Sequence, residues 1–212
     1  MIKKLINKIR NDYDRKTFIL ASASAVIYFT YSIYNGILGI ILKSIWNGSI
    51  CIYYLLLLTI KSYLVISESK LKNLDNKKNI IIFISYILLL VITLTILTPI
   101  ILLIENKRDY NLGLIPAIFM ATYTTYSITM AIIHMVKSKK SNNIFVKQIR
   151  LINLISTLMS VTVLQNTLIL ANGGYNQDMI IFTIYTSISI ILLIFFMIAF
   201  SFYKYIKDNK KL

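Results

Sequence analysis

Residues 179–203 read MIIFTIYTSISIILLIFFMIAFSFY, twenty-five residues without a single charge. A helix crossing a hydrocarbon core needs about 20 predominantly apolar residues, so this stretch predicts a membrane span. Five further apolar runs lie at about 17–42, 49–67, 80–104, 112–135 and 151–171, the second being the shortest. In lipid a spanning element must satisfy its own backbone N–H and C=O groups, which a helix does internally. Barrel strands would show short alternating segments in place of solid Ile/Leu blocks. Pro99, inside the third run, is compatible with a transmembrane helix whose neighbours re-satisfy the freed carbonyl. The expected fold is all-α: a polytopic membrane protein with six transmembrane helices. An apolar share of 57% over 212 residues agrees with this.

The polar connections set the orientation. Lys and Arg number six in residues 1–16, five in 61–79, five in 137–150 and four from Lys204 onward. The other side has only Lys43, Lys107 and Arg108. Positive residues are retained on the cytoplasmic side, so both termini are expected there, in a multi-pass protein of the cell membrane. The net charge of +15 is then accounted for by topology and by attraction to anionic lipid on the cytoplasmic face, with no nucleic acid implied.

The chain divides into a basic segment 1–16, a six-helix domain 17–203 and a basic tail 204–212. In the first, Ile2, Leu5, Ile6, Ile9 and Tyr13 recur at helical spacing between Lys3, Lys4, Lys8 and Arg10. This pattern fits a short amphipathic helix on the inner leaflet, with a disordered basic leader as the alternative. The first apolar run is about twice the length of a signal-peptide core, so it is read as a retained span. Cys51 and His134 are each the only residue of their type, which leaves no disulfide, metal cluster or cofactor to expect.

Three short matches suggest an internal repeat. Tyr28-Phe29-Thr30-Tyr31-Ser32-Ile33 returns as Tyr123-Thr124-Thr125-Tyr126-Ser127-Ile128, Leu42-Lys43-Ser44 as Val136-Lys137-Ser138, and Ile81-Ile82-Phe83 as Ile180-Ile181-Phe182. Because three spans are odd in number, a head-to-tail copy enters the membrane from the opposite side and makes two inverted three-helix repeats. Coincidence is the competing reading in a chain this rich in Ile, Leu, Thr and Tyr.

Polar residues within the spans mark the candidate site. Tyr28, Tyr31, Tyr123 and Tyr126 fall near mid-membrane, where each i, i+3 pair forms either satisfied packing or one wall of a cavity. Asn35 and Gln165 lie in the outer third, and burial there favours pairing, either with each other or with a polar solute. Gly36 and Gly39 beside Asn35 allow close helix approach. Lys61 lies about six residues before the inner end of its span and is expected to snorkel towards headgroups, with an anionic lipid or solute as the second reading. Arg150 and His134 occupy the inner boundary, Arg150 being a further anion or lipid contact. Tyr53, Tyr54, Tyr63, Tyr203, Tyr205 and Trp46 suit an interfacial aromatic belt.

Several classes lack their signatures. No carboxylate lies at mid-membrane for a proton or sodium antiporter, and no spaced Arg series or TVGYG filter is present. No Ser/His, paired-Asp or metal arrangement supports an intramembrane enzyme, so no catalytic residue is expected.

The chain resembles a still uncharacterised family of small six-helix integral membrane proteins of Firmicutes. The likeness rests on Tyr34-Asn35-Gly36, Lys43-Ser44-Ile45-Trp46-Asn47-Gly48-Ser49 and Tyr53-Tyr54-Leu55-Leu56-Leu57. It continues through Tyr123-x-x-Tyr126, Lys137 to Lys140, Arg150-x-x-Asn153-Leu154, Ser156, Ser160 and Leu164-Gln165-x-Thr167-Leu168. At the position of Lys61 that family favours arginine, so charge is kept but planar hydrogen bonding is not. The resemblance implies topology and no mechanism. The expected function is passage of a small solute through a cavity between the two three-helix halves. The alternative is a non-catalytic accessory protein that binds a lipid, a partner membrane subunit or a second copy of itself.

Overall fold

In this computed structural model the described residues are 2–41, 43, 45–70, 75–95, 114–172 and 176–209. Among them six helices form: α1 (Ile2–Ile41), α2 (Ile45–Lys70), α3 (Asp75–Leu94), α4 (Leu114–Ser138), α5 (Ile144–Ala171) and α6 (Gln177–Asn209). Four stretches are long and apolar enough to cross a membrane: Asp12–Ile41, Asn47–Ser69, Ile144–Ile169 and Gln177–Lys207. The chain is therefore an all-helical membrane protein. The apolar part of α3, Lys78–Leu94, is shorter. Pro99, the second half of the third apolar run, Glu105, Lys107 and Arg108 lie outside the described residues, as do the side chains of residues 2–11 and of Trp46. The backbone of α1 is helical without a break from Ile2 through the first apolar run.

Local chemistry explains several helix ends. Asn143 Oδ1 accepts the Phe145 N–H at 2.9 Å, and Asn176 Oδ1 accepts the Met179 N–H at 2.8 Å. Each asparagine thereby satisfies a donor that has no partner within the helix, at the starts of α5 and α6. Between α1 and α2 the chain reverses through Lys43, whose φ is 49°. A side chain in this left-handed region costs roughly 1 kcal/mol that glycine avoids. Lys43→Gly should therefore raise thermal stability in detergent by up to about 1 kcal/mol. A variant that melts below the wild type would show that the turn is not strained.

Two compact units make up the fold: residues 1–88 with 130–154, and residues 89–129 with 155–212. This division cuts through α3, α4 and α5, and does not fall between the third and fourth helices. In the first unit Leu57, Ile60, Leu64, Ile82, Ile149 and Ile152 are fully buried. Phe145, Val146, Gln148, Ile149, Arg150, Leu151 and Ile152 are all buried, while Ile144 and Lys147 are half-buried, so little of the first turns of α5 is left open. In the second unit Leu89, Ile92, Ala117, Ile155 and Ile194 form the core.

The turn between α4 and α5 is tied to the rest of the first unit. Ser141 Oγ donates to Asp14 Oδ1 at 2.7 Å, and Asn143 Nδ2 donates to Glu68 Oε1 at 2.8 Å. At the opposite end of the α1–α2 hairpin the backbones nearly touch. A Cβ added at Gly39 would lie 3.1 Å from the Gly48 backbone nitrogen, and one at Gly36 would lie 3.2 Å from Cys51 Sγ. Lipid tails provide no hydrophobic drive between helices, so such close packing is what holds the hairpin together.

Candidate functional site

The two faces of α1 reverse the pattern of a soluble helix. Ile19, Val26, Ile27, Phe29, Ile37 and Ile40 are exposed. The face turned into the unit carries Tyr13, Thr17, Ala21, Ser24, Tyr28, Ser32 and Asn35, at steps of three or four residues. That stripe is small or polar throughout. From Tyr13 to Asn35 it runs roughly 33 Å, about the thickness of a hydrocarbon core.

Both buried cations of the first unit end on this stripe. Lys61 is 0% exposed, and its Nζ donates to Ser24 Oγ and to Tyr28 Oη, each at 2.9 Å. The same ammonium lies 4.2 Å from the centroid of the Tyr28 ring. Arg150 is 4% exposed; its Nη2 donates to Thr17 Oγ1 at 2.7 Å, and its Cζ lies 5.4 Å from the Tyr13 ring centroid. Aromatic faces favour cations electrostatically, which helps to hold both groups out of water. Thr17 in turn donates to the Tyr13 carbonyl at 2.9 Å, and Tyr13 Oη donates to the His134 carbonyl at 2.9 Å.

Neutral hydroxyls and rings are the only partners of these cations among the described residues, and neither pairs with a carboxylate. The nearby carboxylates Asp14 and Glu68 are engaged by Ser141 and Asn143 instead. In the same unit, Arg150 Nε, Gln148 Nε2 and His134 Nδ1 are buried without a hydrogen-bond partner. A buried charge without a counter-charge costs several kcal/mol, and orphaned buried donors add to it. Among the described residues the arrangement is short of negative charge and of hydrogen-bond partners.

The expected site residues are only partly brought together. Lys61 and Tyr28 meet directly. The lysine crosses to α1 and does not run towards headgroups as sequence position suggested, because two hydroxyls are within reach of its stem. Tyr31 is 50% exposed and stacks on Tyr54 with ring centroids 5.4 Å apart. Tyr123 and Tyr126 are 65% and 64% exposed, so of the four YxxY tyrosines only Tyr28 is directed into its unit. Tyr28 and its matched position Tyr123 therefore occupy unlike environments.

Asn35 is buried but donates to the Tyr31 carbonyl of its own helix at 2.8 Å. Gln165 Nε2 donates to Thr183 at 3.3 Å, and Gln165 Oε1 accepts from Thr186 at 2.8 Å. Each amide thus has a hydrogen-bond partner within its own unit. Tyr53 is buried beside Tyr54, whereas Tyr203 is exposed.

Thr17 and Ser24 were not singled out from sequence, and Tyr13 and Ser32 entered only as parts of the amphipathic segment and of the repeat match. Their signal was present as a helical repeat of hydroxyls through an otherwise apolar span, and it was masked by the Ser and Thr scattered over the other faces. Such residues ordinarily satisfy themselves on the carbonyl four residues back, as Thr30 does on Val26 and Ser22 on Phe18. No protein-family model, curated protein or solved structure matches the chain, so its functional reading rests on this geometry.

Proposed function

We propose that this protein spans the cell membrane six times, with both termini cytoplasmic, and passes a small anion along the hydroxyl stripe of α1. The observation that supports this reading is the burial of Lys61 and Arg150 on one polar stripe, without a carboxylate partner among the described residues. Thr17 and Ser24, which receive the two cations, are seven residues apart, or roughly 10 Å. That spacing suits two successive stations for one anion. Conduction requires sites attractive enough to enter and weak or numerous enough to leave, and hydroxyls between cations meet that need.

The orientation rests on the excess of Lys and Arg on one side, which puts Arg150 near the cytoplasmic mouth. An inverted duplication remains part of the proposal and is supported by the three sequence matches. The second reading, an accessory protein that holds an anionic lipid, is favoured by the same unpaired cations if the anion stays in place.

The test is flux. Purified protein in vesicles of neutral phosphatidylcholine should dissipate an imposed gradient of a small anion faster than protein-free vesicles, and should leave potassium and sodium gradients unchanged. Anion leak no greater than in empty vesicles, with the protein folded and inserted, removes the permeation reading.

A further inference from the structure

We infer that Arg150 is the binding residue for a phosphate group, which deepens the anion-passage reading and rests on it for the site concerned. Three observations select an oxyanion over a halide. First, Arg150 is 4% exposed and has no carboxylate partner among the described residues. Second, Nη2 donates to Thr17 while Nε is buried and unpartnered. Nε and Nη2 form one edge of the planar fork, which a tetrahedral oxyanion accepts through two oxygens at once. A spherical halide uses no such edge. Third, the Tyr13 ring and the Thr17 hydroxyl fix the plane of the fork. A fork held in place loses little freedom on binding.

Lys61, further along the same stripe, supplies a second positive charge. The two cations repel one another, and an anionic phosphate group between or beside them relieves that repulsion. Arg150 is six residues into α5, roughly 9 Å from its start, a depth that a lipid phosphate reaches from the headgroup layer and a free phosphate reaches from water. The chemistry is shared by the two sources, and the experiment separates them.

Full-length protein is purified and studied in two states: as extracted with bacterial lipid, and exchanged into nanodiscs of phosphatidylcholine alone. Native mass spectrometry and ³¹P NMR report lipid retained through detergent exchange; titration of the nanodisc form with inorganic phosphate, against chloride, reports the free anion. Free phosphate as ligand predicts saturable phosphate binding that chloride does not displace at equal concentration. A lipid headgroup predicts retained phosphatidylglycerol and no phosphate titration. In either arm Arg150→Lys, which keeps the charge and loses the fork, should weaken binding roughly tenfold or more, the loss of one charge-assisted hydrogen bond.

Thr17→Val should weaken binding less and serves as a second probe should Arg150→Lys fold poorly. Neither ligand binding in the wild type, or Arg150→Lys binding as tightly as the wild type, overturns the inference. Phosphate or lipid binding without anion flux keeps this inference and removes the permeation reading. Chloride flux without phosphate or lipid binding does the reverse.

Discussion

Lys61→Met is expected to abolish anion flux while leaving the protein at least as stable as the wild type. The ammonium is fully buried and, among the described residues, is received by Ser24 and Tyr28. Taking such a charge out of water costs several kcal/mol, and two neutral hydroxyls repay part of that. Methionine has a similar length and an adaptable apolar stem, so it fills the same space without the charge. Ser24 keeps its own bond to the Ala21 carbonyl at 2.8 Å once the lysine is gone.

Replacing buried ionic groups by apolar ones of similar volume is often neutral or stabilising by about 1–4 kcal/mol. Thermal unfolding and vesicle flux should therefore move in opposite directions for Lys61→Met. A marked fall in melting temperature would make the lysine a tie between α1 and α2. Unchanged flux with unchanged stability would take it out of the path.

The second large effect is at Gly39. A Cβ there meets the Gly48 nitrogen at 3.1 Å, the Gly48 Cα at 3.4 Å and the Asn47 carbonyl carbon at 3.6 Å. All three are backbone atoms, which cannot rotate away as a side chain does. Gly39→Val must separate α1 from α2, with an overpacking cost of about 1–3 kcal/mol. Loss of close packing between transmembrane helices is not compensated by a hydrophobic effect in lipid.

Gly48 is the informative control. A Cβ added to it has nothing within 4 Å, and it lies inside α2, so Gly48→Ala should be neutral or stabilising by about 0.5–1 kcal/mol. Unfolding in detergent would rank the two, Gly39→Val well below Gly48→Ala. Equal melting of the two variants would mean that the hairpin is not held by this contact.

Much of the architecture could be read from the chain because the bilayer imposes a one-dimensional rule. Any run of apolar residues long enough to cross must be helical, and each of the six apolar runs overlaps one of the described helices α1 to α6. The capping asparagines 143 and 176 were not picked out from sequence, because Asn is common in loops and only the backbone shows which one faces a free N–H. The site was legible only in part. Lys61 and Arg150 were visible as charges at the edges of spans, where snorkelling is the ordinary outcome. Whether such a stem turns outward or crosses to a neighbour depends on which hydroxyls that neighbour presents.

The apolar runs alone thus determined the helical class and the membrane environment, because solvation of the backbone depends on composition over about 20 residues and little else. The side-chain pairings needed the tertiary structure. Arg150 meets Thr17 across 133 positions and Lys61 meets Ser24 across 37. The outward placement of Tyr123 and Tyr126 and the inward turn of Tyr28 were likewise decided by packing. The period of a helix says which residues share a face, and only the contact between helices says which face is turned inward.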